Sequence, residues 1–318
     1  MHAAVLRYLD QVARQGSIRK AADALSVASS AVNRQILRLE REIGVPLFER
    51  SRAGVRPTAA GELLLRHVRE TQTEYQRLRA EIASLGGAIS GTVRIVALES
   101  VLARFLPDIV AEVTARHPKV NFTVLTVAPG EIAAELQSGD NDFGVVFIDH
   151  RLRGVEIAAE FQTAIGALMR PDHPLAGRRG LTLTECARHP VVMLHDRWLL
   201  DPIMAAEFAE SGARLAPRIV SNSIEFMRQT ILRGMGIGFV SPIGFVEEIR
   251  SGTLVHVPLT EAGLAKSRIG LVVPRQRRLS PPARLMIGHI RDRLAGLGDF
   301  LTAPRRIPSG RSRAKRAA

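Results

Sequence analysis

With 318 residues, a formal net charge of +13 and 46% apolar content, the chain is long enough for two or three cored domains; its charge favours an anionic partner, nucleic acid or a membrane surface, unless the Arg excess is only the habit of a GC-rich genome. One cysteine, Cys186, excludes a disulfide framework and cysteine-spaced metal sites, and 4% aromatics argue against a stacking platform for single strands or sugars. No apolar run reaches the roughly 20 residues of a membrane span and no signal-peptide core opens the chain, so a cytoplasmic protein with no membrane partner, no metal and no cofactor is expected.

Residues 3–14 set Val5, Leu6, Leu9, Val12 and Ala13 at helical spacing, and Gly16 stops that helix. Ser17 reads as the N-cap of a second helix over 18–25, with Ala21, Ala22 and Leu25 inward. A tight turn over 26–28 leads to a third helix, capped by Ser29 or Ser30 and ended by Gly44. Val32, Ile36, Leu39 and Ile43 share one face of it; Asn33, Arg34, Arg38 and Arg41 share the other. Two short helices joined this way match a helix-turn-helix, whose second helix enters the major groove of double-stranded DNA. Small polar residues at its start let the backbone approach base edges. That assigns reading to Ser29, Ser30 and Asn33, with Arg34 and Arg38 long enough for guanine or phosphate. A plain helical hairpin with a solvated charged face has the same spacing.

Residues 47–58 read as two short extended pieces around a turn, with Leu47 and Phe48 as core anchors. Arg50, Arg52 and Arg56 cluster there, and such a wing grips phosphates or reaches into the minor groove. Thr58 then opens a long helix as a simple cap, because Gly61 has no side chain to reach back. Leu64, Val68, Thr71, Tyr75, Leu78, Ile82 and Leu85 step alternately by four and three. A heptad seam predicts a partner helix, hence dimerisation through Leu64, Val68, Tyr75, Leu78 and Ile82; packing on its own domain is the alternative. Gly86, Gly87, Ser90 and Gly91 mark a hinge.

Beyond the hinge the pattern changes class. Strands are predicted over 93–98, 122–127, 143–148, 165–169, 191–194, 218–220, 237–240, 254–257 and 269–273. Helices lie between many of them, one running to about 116 with a break or restart at Pro107 and one over 132–137. The alternation predicts α/β units with largely parallel sheets, arranged as two lobes around a cleft. Three apparent chemical signals fail. Gly234 to Gly238 follows a helix and precedes a strand, the reverse of a dinucleotide motif. Asp172-His173 and His195-Asp196 have no nucleophile tied to them, and Cys186 reads as a buried structural residue. The tail from 302 carries Arg305, Arg306, Arg311, Arg313, Lys315 and Arg316 and no acid, a composition that predicts disorder, either adding non-specific DNA affinity or standing idle.

The N-terminal residues resemble the LysR-type transcriptional regulators. That family carries GSxxxAAxxLxVxxSAVxRQIxxLExxxGxxLFxR followed by T-x-AG; here stand Gly16-Ser17, Ala21-Ala22, Leu25, Val27, the run from Ser30 to Ile36, Leu39-Glu40, Gly44, Leu47-Phe48, Arg50 and Thr58 to Gly61. The likeness continues more loosely to about residue 300. It implies an α+β multidomain chain: a winged helix-turn-helix over 1–58, a linker and dimerisation helix with hinge over 59–91, and a two-lobed α/β, periplasmic-binding-protein-like sensor over 92–300. Lobe I is expected at 92–163 and 269–300, lobe II at 164–268, and a basic tail at 301–318. It also implies a homodimer or homotetramer, a small-molecule effector in the cleft, and contact with RNA polymerase in an activator. Ser29 stands where many relatives have Gln, Asn33 where Ser is common and Pro57 where Leu is common, which bears on the operator sequence rather than the binding mode. Ligands of open α/β sheets bind beyond the carboxyl ends of strands. Ser100 and Val101 follow the first strand, where similar regulators place a hydroxyl that contacts the effector; Pro129 follows the second, and Asn222 and Ser223 open a helix of lobe II. For Ser100 an N-cap role is the alternative, and one of Ser221, Asn222 and Ser223 is expected to be a cap, with Asn222 or Ser223 facing the cleft. Two other functions fit less of the chain: an architectural DNA-binding protein whose C-terminal region only oligomerises, and an enzyme or solute carrier with a helical accessory domain.

Overall fold

The computed structural model describes residues 3–51, 54–127, 131–148, 152–194, 202–213, 215–275 and 278–302. The first three helices are α1 (Ala3–Gln15), α2 (Ile18–Leu25) and α3 (Ser29–Ile43). Ser17 caps α2 by accepting from Lys20 N, and Gly44 ends α3 in the left-handed region at φ 85. The cap of α3 is Ala28, without a side-chain bond, so neither Ser29 nor Ser30 caps it: they are the first and second residues of the helix, on its exposed first turn. The buried face of α3 is Val32, Ile36 and Leu39; Ile43, expected on it, is exposed. β1 (Phe48–Ser51) and β2 (Gly54–Pro57) pair antiparallel as the wing.

α4 (Ala59–Leu85) is a 27-residue helix capped by Thr58, whose hydroxyl accepts from Gly61 N and donates to Pro46 O. Its apolar stripe divides. Leu65 and Val68 are buried in the DNA-binding domain with Leu9, Ile36 and Leu47, and Leu64 packs against the same cluster. The first part of the predicted seam is therefore intramolecular: Val68 is a core residue, Leu64 is partly buried against the same core, and a cut after residue 58 does not separate two packing units. From Thr71 on, the seam positions Thr71, Tyr75, Leu78, Ile82 and Leu85 are exposed.

Lobe I contains β3 (Gly91–Ala97), α5 (Glu99–Leu102), α6 (Phe105–Arg116), β4 (Val120–Leu125), α7 (Ile132–Gln137), β5 (Phe143–Phe147) and β6 (Val155–Gln162). Lobe II contains β7 (Gly166–Met169), α8 (Leu183–Cys186), β8 (Val191–Leu194), α9 (Pro202–Ser211), β9 (Pro217–Ser221), α10 (Ile224–Leu232), β10 (Ile237–Val240), α11 (Val246–Arg250), β11 (Val255–Pro258) and α12 (Ala262–Ala265). The chain then returns to lobe I as β12 (Arg268–Pro274) and α13 (Pro281–Thr302). The lobe I sheet has the order β4-β3-β5-β12-β6 and the lobe II sheet β11-β7-β10-β8-β9. Both are mixed, not largely parallel. β12 runs antiparallel to β5 and β6, and β7 antiparallel to β10 and β11. The cause is the double crossing: β6 leaves lobe I and β12 re-enters beside it in the opposite direction. Apolar residues of α6 and α13 cover one face of the lobe I sheet in a shared core.

Candidate nucleic-acid interface and inter-lobe cleft

Ser29, Ser30, Arg34 and Arg38 are exposed on α3, and Asn33 is half-buried beside them. Among the described residues no carboxylate pairs with Arg34, Arg38 or Arg56, so their charge faces outward. The wing is joined to this helix: Arg50 Nη2 donates to Asn33 Oδ1 at 2.8 Å. Asn33 thus keeps its amide NH2 for another acceptor while its oxygen orients Arg50. Two further contacts set the wing's place. Glu40 Oε1 accepts from Leu47 N at 2.8 Å and from Phe48 N at 3.2 Å, and Val55 N donates to Gly16 O at 2.9 Å. A Cβ on Gly54 would lie 2.6 Å from Gly16 O, which makes glycine a steric requirement there. Glu40 escaped the sequence reading as a positioning residue because a glutamate on an amphipathic helix looks solvated. Arg52 and Pro129 lie outside the described residues, as do the His195-Asp196 pair and the tail from 303.

In the cleft the lobes meet at α5. Ser100 is buried against the 3-10 turn Pro242–Phe245; a Cβ on Gly244 would fall 2.7 Å from Ser100 O and 3.2 Å from Ser100 Cβ. The turn is held from behind by Arg228, buried in lobe II, which pairs with Glu248, donates to Gly244 O at 2.7 Å and stands 4.7 Å from the Phe245 ring centre. Next to Ser100, Glu99 Oε1 accepts from Ile224 N, the first amide of α10, at 2.8 Å. Helix N-termini attract anions, and this one already meets a carboxylate from the opposite lobe.

The predicted cleft residues divide accordingly. Ser100 is inside α5, not its cap, and touches lobe II. Val101 is fully buried in the lobe I core, so its side chain does not face the cleft, a correction to its expected role. Ser223 caps α10 by accepting from Phe226 N at 3.2 Å, which commits its oxygen to the helix. Asn222 is exposed just before it.

The acid/base pairs form no reactive site among the described residues. Asp172 chelates Arg170 at 2.8 Å, and His173 stacks edge-on to His189 with ring centres 4.8 Å apart. Burial, then the charge of His189, holds His173 below its usual pKa. Cys186 is buried and its thiol is pushed up to about 12 by that burial. Among the described residues no helix is long and apolar enough to cross a membrane.

Comparison with known proteins fits this geometry. The family model described as "Bacterial regulatory helix-turn-helix protein, lysR family" matches residues 4–62, and that for the "LysR substrate binding domain" matches residues 86–295. The chain is 29% identical over 285 residues to a RuBisCO operon transcriptional regulator of Allochromatium vinosum, covering 89% of this chain and 94% of that one. It is 26% identical over 296 residues to a probable nitrogen assimilation transcriptional activator of Synechococcus elongatus, covering 92% and 95%. Among solved structures, a full-length OxyR variant from Pseudomonas aeruginosa superposes with a TM-score of 0.67 at 18% identity, covering 92% and 94%. Full-length CbnR complexed with its target DNA superposes with a TM-score of 0.60 at 18% identity, covering 92% and 100%. At such identity the structures speak for the fold.

Proposed function

The chain belongs to the LysR family of bacterial helix-turn-helix regulators, and from that premise we propose that it reads a specific operator through α3 and the wing under control of a small molecule held between its lobes. A DNA-binding transcriptional regulator, not an enzyme, is what the family amounts to. In the finer reading, Ser29, Ser30, Asn33 and Arg34 face base edges, while Arg38, Arg50, Arg52 and Arg56 hold phosphates. The observation that carries it is the Asn33–Arg50 bond, which fuses helix and wing into one cationic surface. Two subunits pair through Tyr75, Leu78 and Ile82, and a two-fold dimer reads an interrupted inverted repeat. The effector lies near Ser100, Asn222 and the loop that contains Pro129. It shifts the balance between lobe arrangements by binding one better than the other, and an activator passes that change on to RNA polymerase.

Selection of host genomic fragments on the purified protein tests this, with Arg34→Ala alongside. Enrichment of a few sites sharing a two-fold repeat, lost or relaxed in the variant, is the expected result. Binding everywhere with no shared repeat would instead favour an architectural protein attracted by charge alone.

A further inference from the structure

The turn Gly139–Asp142, between α7 and β5, holds three partners that lie outside its own lobe. Thr73 Oγ1 of α4 donates to Gly139 O at 2.9 Å. Arg77 of α4 reaches Asp142 at 3.3 Å, with both side chains 6% exposed. Arg14, at the end of α1, reaches Asp140 at 3.2 Å. One turn of lobe I therefore grips both the linker helix and the DNA-binding domain.

The three contacts differ in kind. Asp142 is fixed from its own side, since its other oxygen accepts from Arg94 N of β3 at 2.8 Å. A buried ion pair with one partner already built into a sheet is a pivot, because separating it strands a charge. The Arg14–Asp140 contact is partly exposed, and Arg14 Nε is independently paired with Asp10 at 2.7 Å. Its release leaves the cation satisfied, so this contact can open and close. Behind the turn, Ile132 and Leu136 of α7 pack with Val155 of β6 and Val272 of β12. Those are the two strands that connect the lobes, so α7 sits on the elements that a change in lobe arrangement must move.

We propose that the Gly139–Asp142 turn is an intramolecular docking surface for the DNA-binding domain, with Arg77–Asp142 as its pivot, Thr73–Gly139 as a neutral bond beside that pivot and Arg14–Asp140 as its releasable contact. It sets the angle of that domain on lobe I and delivers lobe motion to it. The inference rests on the regulator reading above and gives that reading its internal coupling element.

The test uses full-length protein and the operator recovered by genomic selection, together with a DNA carrying only one half-site. Asp140→Lys places a like charge against Arg14; Glu210→Lys, on the exposed side of α9, adds the same charge elsewhere. Asp140→Lys should weaken full-operator binding at least fivefold relative to Glu210→Lys and change the DNA bend, while half-site binding stays within twofold. Thr73→Val, which removes the neutral bond beside the pivot, should change both readouts in the same direction. Full-site affinity and bend equal to those of Glu210→Lys would overturn the docking role. A wild-type protein that does not prefer the full operator to bulk DNA would bring down the regulator reading itself, and the coupling element with it.

Discussion

The Glu99 carboxylate accepts the amide proton of Ile224 at 2.8 Å across 125 positions of sequence. The bond ties the start of α5 in lobe I to the start of α10 in lobe II, beside the Ser100–Gly244 contact. It acts as a second cap on α10, supplied from the opposite lobe. Glu99→Ala should lower stability by about 0.5–2 kcal/mol, the usual value of a lost cap. Small-angle scattering should show the lobes more open. An unchanged scattering profile with an unchanged unfolding midpoint would mean that the bond holds nothing.

Asn33 and Arg50 should behave as one unit toward DNA. In a double-mutant cycle of Asn33→Ala and Arg50→Ala, operator-binding energies should fail to add by about 1 kcal/mol. Arg56→Ala should instead weaken all sequences alike and reduce the salt slope by about 1. Additive losses at 33 and 50 would show that their contact does not shape the interface.

The divided stripe of α4 predicts opposite results from two kinds of substitution. Leu78→Lys with Ile82→Lys, at positions 50% and 59% exposed, should leave a folded chain of monomeric mass in sedimentation. Val68→Ala should keep the oligomer and destabilise the DNA-binding domain by about 2 kcal/mol through lost burial. A dimer that survives both lysines would place the interface elsewhere.

Arg77→Met should cost about 3–5 kcal/mol, because Asp142 stays buried and loses its cation. Arg77→Met combined with Asp142→Asn should recover much of that, as the second change removes the stranded charge. Urea unfolding of both variants measures it.

His173 supplies a pH dependence. Its folded pKa is held below the ordinary 6.5, by burial first and by His189 second. Between the folded value and 6.5 the unfolded chain binds more protons, so stability from this site falls as pH drops through that window and returns as pH rises. Below the folded pKa both states carry the proton and the effect is complete. His173→Gln should flatten this part of the stability-against-pH curve.

The DNA-binding domain was largely legible because its signals are local: a helical apolar period, Ser17 at a cap, Gly44 at a stop. The misreadings arise where distant segments decide. Leu64 and Val68 show the four-three spacing that any packed helix shows, and the sequence does not say whose surface covers them. β6 was unread because VEIAAEFQ mixes exposed Glu156 and Glu160 with small residues and gives no apolar run. Its pairing with β12, over a hundred positions later, makes it a strand and adds an antiparallel edge to the lobe I sheet, as β7 does for β10 and β11 in lobe II. Arg77 and Glu99 gain their partners only in the fold, which brings Asp142 and Ile224 to them across 65 and 125 positions. In the cleft, Ser100 could be singled out by following a strand, whereas the inward turn of Val101 depends on the lobe I core.

The absence of a side chain at Gly61 settles where this protein can be cut and rejoined. A Cβ there would lie 2.0 Å from Leu47 O, so the opening turns of α4 are seated directly on the base of the wing. With Leu65 and Val68 in the same core, those turns move with the DNA-binding domain as one solid piece. A chimera that borrows the sensor of a relative should therefore be spliced within the helix beyond Val68, not at its beginning. A junction at the helix start would mate a foreign first turn to the Leu47 carbonyl and damage DNA recognition, however well the sensor folded.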